Sequence, residues 1–176
     1  MLKLTDLQKK IIGLVLLLVL VGGFFLVRFL WGLGNNLGYA PDQPIPFSHK
    51  IHAGDNKIPC LYCHSNADNS KHSTIPSMNV CMNCHRVVKT ESPFIQELTK
   101  TYNEGKAFEW VKVNDVPDYV YFNHKRHVTK GIDCAQCHGD VASKAKIDQV
   151  QTLQMGFCMD CHRANYVPTD CLTCHH

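Results

Sequence analysis

The chain has 176 residues with a formal net charge of +3, from 18 Lys and Arg against 15 Asp and Glu, and nothing in that balance points to nucleic acid as a partner. It carries 10 Cys and 11 His, and no cysteine stands outside a Cys-x-x-Cys pair followed by histidine. That arrangement excludes a random disulfide framework, in which the flanking histidines have no use.

Taken in chain order, the first feature is IIGLVLLLVLVGGFFLV at 11–27, an uncharged apolar run that FLWGL extends past Arg28 to Leu33. Its length suits one bilayer crossing at about 1.5 Å per residue against a core of about 30 Å. Lys3, Lys9 and Lys10 precede it, which places the N-terminus in the cytoplasm and the rest of the chain on the periplasmic or outer side of the inner membrane. A cleaved signal peptide is the competing reading. The run is longer than an ordinary signal core, and the best small-residue site, ending at Ala40, is followed by Pro41, so an uncleaved single-pass anchor is expected. PDQPIP at 41–46 reads as a stiff, extended spacer.

FSHKIHAGDNKIPCLYCH at 47–64 follows, then a polar loop and MNVCMNCHR at 78–86. SPFIQELTKTYNEG reads as a helix capped by Ser92, with Pro93 in its first turn, an apolar stripe of Phe94, Leu98 and Tyr102, and Gly105 as its stop. EWVKVNDVPDYVYF at 109–122 alternates apolar and polar residues and reads as a short extended or hairpin segment. FNHKRHVTKGIDCAQCH at 122–138 then repeats the unit at 47–64 with one residue fewer, and MGFCMDCHR at 155–163 repeats the unit at 78–86. CLTCHH at 171–176 closes the chain.

Cys-x-x-Cys-His is the attachment signature of c-type haem, in which two thiols bond to the porphyrin and the histidine ligates iron. Five such motifs predict five covalently bound haem c groups, on Cys60/Cys63, Cys81/Cys84, Cys134/Cys137, Cys158/Cys161 and Cys171/Cys174. Their proximal ligands are His64, His85, His138, His162 and His175. Zinc and redox disulfides leave the five following histidines unexplained. The polar inter-motif loops imply that the porphyrins supply most of the apolar core, so the domain is expected not to fold without haem.

Distal ligands are expected from the repeat. His49/His52 and His124/His127 are spaced i, i+3, so each pair projects from one side of a helical turn and serves two neighbouring haems. For the fifth iron His72 ranks first, then Met155 and Met78; His176, directly after His175, is suited only to a different haem.

The fold expected is a multihaem cytochrome c: one N-terminal transmembrane helix and a small, loop-rich, mostly α haem domain with little regular structure. Its parts are a cytoplasmic N-terminus at 1–10, the membrane helix at 11–33 and the spacer at 34–46. A first dihaem module at 47–88, a connecting helix and extended segment at 89–121, and a second dihaem module with the fifth haem at 122–176 complete the chain.

The F-x-H-x-x-H spacing resembles class III multihaem cytochromes c. More specifically, the single membrane helix, the five motifs, FSHKIHAGDNKIPCLYCH and WVKVNDVPDYVYFNHKRH together resemble the pentahaem cytochrome subunit of bacterial alternative complex III, over nearly the whole chain. The resemblance implies a menaquinol-oxidising respiratory complex with an iron–sulfur protein, a quinol-binding integral membrane subunit and a monohaem cytochrome c as neighbours, and a terminal oxidase as downstream acceptor. It also supports His49, His52, His124 and His127 as distal ligands. Six-coordinate irons leave no substrate position, so the expectation is a non-enzymatic electron conduit within that complex. The alternatives are a membrane-anchored quinol dehydrogenase, whose tetrahaem family lacks this histidine repeat, and a small-substrate reductase, which requires an open or unusually ligated haem.

Overall fold

A computed structural model of the chain describes residues 5–175 and divides it into two compact units between Asn36 and Leu37. The first unit is essentially one helix, α1 (Asp6–Gly32). It starts on a capping box: Thr5 Oγ1 accepts from the Gln8 N–H at 3.3 Å while Gln8 Oε1 accepts from the Thr5 N–H at 2.9 Å. Its 27 residues span about 40 Å at the helical rise, and it is long and apolar enough to cross a bilayer. None of its side chains is buried within the protein.

The second unit is built from short helices and irregular chain, with no strand among the described residues. A π-helical turn (Lys50–Asp55) is followed by α2 (Cys60–Cys63), α3 (Met78–His85) and α4 (Pro93–Asn103). Then come α5 (His124–Val128), α6 (Cys134–His138), a 3₁₀ turn (Val141–Ser143), α7 (Met155–Ala164) and α8 (Cys171–Cys174). Each Cys-x-x-Cys-His motif therefore lies on its own helical turn.

The protein's own apolar core is small. Ile45, Met82 and Leu98 form one buried cluster, with Met78, Ile95, Tyr102, Phe108 and Trp110 partly buried against it. α4 supplies Ile95, Leu98 and Tyr102, an i, i+3, i+7 stripe. The expected stripe is thus corrected at its first position: Phe94, next to the initiating Pro93, points outward at 51% exposure and Ile95 replaces it. α4 ends as expected at Gly105, with the Lys106 N–H bonded to Thr101 O at 3.1 Å and the Gly105 N–H to Tyr102 O at 3.0 Å, a complete Schellman motif.

Residues 38–45 are laced along this second unit. Gln43 exchanges two 2.9 Å hydrogen bonds with the Val111 backbone, and Asp42 pairs with Lys146 at 2.7 Å. Gln149, 1% exposed, bonds its backbone to Gly38 and Tyr39 and its side-chain oxygen to the Asp115 N–H. These side-chain amides take up the backbone groups of 109–122, which runs irregularly and forms no hairpin; Pro117, lacking an N–H, further unsuits it to a ladder.

The single-residue difference between the two histidine segments is absorbed in the π turn. Ser48 Oγ accepts from the Ile51 N–H and Asn123 Oδ1 from the Arg126 N–H, both at 3.3 Å, so the two turns begin alike. They also end alike, with the Ile58 N–H on His52 O at 3.1 Å and the Ile132 N–H on His127 O at 3.3 Å. The extra residue widens the first turn to i→i+5, seen in the Asn56 N–H to Ile51 O bond. At equivalent exits Lys57 has φ +56° where Gly131 has φ +78°. Lys57→Gly should therefore stabilise the holoprotein by about 1 kcal/mol, read as a higher melting midpoint.

Gly54 in the π turn is a packing requirement. A Cβ there would sit 2.3 Å from the Ala142 carbonyl oxygen, on the 3₁₀ turn packed against it. Backbone cannot retreat as a side-chain tip can, so Gly54→Ala should cost about 1–3 kcal/mol in denaturant unfolding of the holoprotein.

Candidate haem-iron sites

Four of the five motif histidines are oriented by backbone carbonyls. His64 Nδ1 bonds Thr74 O at 2.8 Å, His85 Nδ1 bonds Val88 O at 3.1 Å, His162 Nδ1 bonds Pro168 O at 3.0 Å and His175 Nδ1 bonds Tyr119 O at 2.8 Å. Three non-motif histidines follow the same rule: His52 to Ser48 O and His127 to Asn123 O, each 2.8 Å, and His124 to Lys71 O at 3.1 Å. A carbonyl accepts only, so Nδ1 carries the proton and Nε2 keeps its lone pair for a metal.

Phe47 and Phe122 set the directions of the paired rings. Phe47 meets His49 edge-on at 4.8 Å and stacks on His52 at 4.4 Å; Phe122 meets His124 edge-on at 4.7 Å and lies against His127 at 4.6 Å. Each phenyl thus separates two imidazoles that emerge from one turn toward different partners. Sequence reasoning noted the phenylalanine in the repeat but gave it no role; its fixed offset of two residues before the first histidine is the signal.

Three non-motif imidazoles face motif imidazoles. His52 and His85 have ring centroids 6.0 Å apart, His124 and His138 6.4 Å, and His127 and His162 6.2 Å. With a metal–imidazole bond of about 2 Å and a centroid-to-nitrogen distance of about 1.1 Å, two rings on opposite sides of one iron have centroids about 6.2 Å apart. The spacing fits an iron between each pair.

His49 is less directly placed: its Nδ1 is buried with no hydrogen-bond partner. Burial, with the influence of His64 and His52, pushes its pKa down to about 4. Burial likewise lowers His124 and His138 and raises the thiols of Cys63, Cys81, Cys134, Cys137 and Cys158. Neutral imidazole is the metal-binding form, so burial favours ligation.

The candidates for the fifth iron lie in three different settings. His72 is exposed and lies near His124; Met78 packs against the Ile45–Met82–Leu98 cluster; Met155 is 63% exposed at the start of α7. The His175 ring instead lies 5.6 Å from Tyr119. His176 lies outside the described residues.

All ten thiols are unbridged, and among the described residues no three His, Cys, Asp or Glu side chains converge as a four-ligand zinc site requires. The paired imidazoles, two at a time, would instead hold an iron that a macrocycle brings with it.

Comparison with known proteins agrees. Residues 120–176 match the family described as cytochrome c7 and related cytochrome c. Over 175 aligned residues the chain is 30% identical to the multihaem cytochrome c subunit of menaquinone reductase from Nitratidesulfovibrio vulgaris, covering 82% of each chain. The chain belongs to the multihaem cytochrome c family. A cytochrome c3 of Desulfuromonas acetoxidans is 38% identical over 56 residues, 32% of this chain and 79% of that one. As a multihaem cytochrome c, the chain binds haem c covalently and serves electron transfer. Bound haem supplies a one-electron couple; the protein supplies thiols to fix it, imidazoles that would ligate its iron and carbonyls to hold those imidazoles in one tautomer.

Proposed function

We propose that this chain is a membrane-anchored pentahaem cytochrome that conducts electrons from a quinol-oxidising complex of the alternative complex III type to a cytochrome c or terminal oxidase. The observation that carries the conduit reading is the set of three facing imidazole pairs at 6.0–6.4 Å, which leaves no exchangeable position on those irons. Cys60, Cys63, Cys81, Cys84, Cys134, Cys137, Cys158, Cys161, Cys171 and Cys174 hold five haems, with His64, His85, His138, His162 and His175 as proximal ligands. His85, His138 and His162 take His52, His124 and His127 as distal partners, and His49 serves His64. α1 is the anchor, with the N-terminus in the cytoplasm and the haem domain on the periplasmic side. An iron–sulfur protein, a quinol-binding membrane subunit and a monohaem cytochrome c are the expected neighbours.

A second reading reverses the flow. The relative covering 82% of this chain is named as a menaquinone reductase subunit, which favours electrons running from a periplasmic donor toward quinone. Purification from native membranes in mild detergent, followed through haem absorbance and mass spectrometry, tests the assembly. Co-purifying iron–sulfur and polytopic subunits whose haems are reduced by menaquinol establish the forward reading. Haem oxidation by menaquinone, with no reduction by menaquinol, establishes the reverse, and isolation alone with intact quinol oxidation sinks both in favour of a self-sufficient quinol dehydrogenase.

A further inference from the structure

We propose that the five haem sites form an unbranched series whose order in space is two, one, three, four, five, so that motifs two (Cys81–His85) and five (Cys171–His175) are its ends. This rests on the pentahaem reading above and goes beyond it by giving the sites an order that differs from their order along the chain.

Four junctions carry it. Motifs one and two touch directly: Tyr62, inside CLYCH, accepts a 3.0 Å hydrogen bond from Asn83, inside CMNCH. They also share the Phe47 turn, which closes through the Ile58 N–H to His52 O bond, runs directly into Cys60 and sends His52 to His85.

Motifs one and three meet across the loop after His64. Thr74 O holds the His64 ring, and three residues earlier Lys71 O accepts from both the backbone N–H and the Nδ1 of His124, the imidazole facing His138. Lys125 N–H adds a bond to Ser70 O at 3.0 Å.

Motifs three and four share the Phe122 turn through His124 and His127. Motif five is tied to motif four by chain geometry. The chain leaving α7 folds back so that Val167 N–H bonds His162 O at 2.8 Å and Pro168 O holds the His162 ring, and Cys171 follows three residues later. Three extended residues reach about 10 Å at most. Cys174 also bears electrostatically on Cys158.

Motif two contacts motif one, while the sequence-adjacent step from motif two to motif three is occupied by α4 and the connecting segment. One-electron hops along the series make and break no bond: each oxidises one site and reduces the next, so adjacency alone sets the route.

The test is proton NMR of the fully reduced, full-length holoprotein in detergent micelles. Each haem is assigned through contacts to the cysteine β-protons of its own motif. Inter-haem nuclear Overhauser contacts are expected for pairs one–two, one–three, three–four and four–five. A two–three contact, or the absence of a one–three contact, overturns the order. The intact mass of the same sample counts the haems: fewer than five overturns the pentahaem reading and the series with it, whereas five haems with a two–three contact overturns the order alone.

Discussion

Replacing all ten motif cysteines with serine leaves the second unit without a cooperative fold. Among the described residues, the apolar side chains that the polypeptide buries by itself are Ile45, Ala67, Met82, Leu98 and Val113, and only Ile45, Met82 and Leu98 of these form one cluster. Each fully buried side chain of that kind contributes about 1.5–3 kcal/mol, far too little to order a unit that starts at Leu37. The helices that carry the motifs are too short to stand alone: α2 and α8 have four residues and α6 five, where about 12–15 are needed for marginal stability in water. Facing pairs such as His124 and His138 leave between them the room a porphyrin-bound iron takes. Circular dichroism of the full-length variant in detergent should therefore show helix accounted for by the 27 residues of α1 and no sigmoidal thermal transition, against a cooperative melt for the holoprotein. A cooperative melt in the serine variant would mean that the polypeptide core suffices.

What the sequence displays is what covalent chemistry demands at fixed spacing. The Cys-x-x-Cys-His turns, the apolar run that becomes α1 and the i, i+3 histidines are all visible because each obeys a short period. The orientation of Phe47 and Phe122 between paired imidazoles is half-visible: the offset repeats, but ring geometry comes only from packing. What stays hidden is long-range. No local pattern announces that Lys71 O and Thr74 O hold imidazoles of different motifs, or that Gln43 and Gln149 take up the backbone of 109–122 in place of a hairpin. The outward turn of Phe94 is hidden likewise, since Ile95 is equally apolar and only the position of α3 decides between them. For the fifth iron the sequence ranks His72 ahead of Met155 and Met78, and their surroundings differ: His72 and Met155 are exposed, whereas Met78 packs against the apolar cluster.

On the pentahaem reading proposed above, His127→Ala should convert one haem of the five from low to high spin. The His127 ring faces His162 at 6.2 Å, is held by Asn123 O at 2.8 Å and is backed by Phe122, so it is poised to ligate and has no other use there. Alanine removes the sixth ligand while Cys158, Cys161 and His162 still hold the group, which leaves a five-coordinate iron. The readouts are a high-spin ferric signal in electron paramagnetic resonance and carbon monoxide binding at about one haem per chain, neither present in the parent at that site. Added imidazole should restore the low-spin spectrum, which repair of a merely structural defect would not do. His127→Met should stay low-spin and move one of the five midpoint potentials upward, because a thioether donates less charge to ferric iron than imidazole does. Arg126→Ala, one residue away on the exposed side of the same turn, should leave every spectrum unchanged. A low-spin His127→Ala protein without added imidazole would show that the iron at motif four takes its sixth ligand from elsewhere, and the Phe122 turn would then be a packing device only.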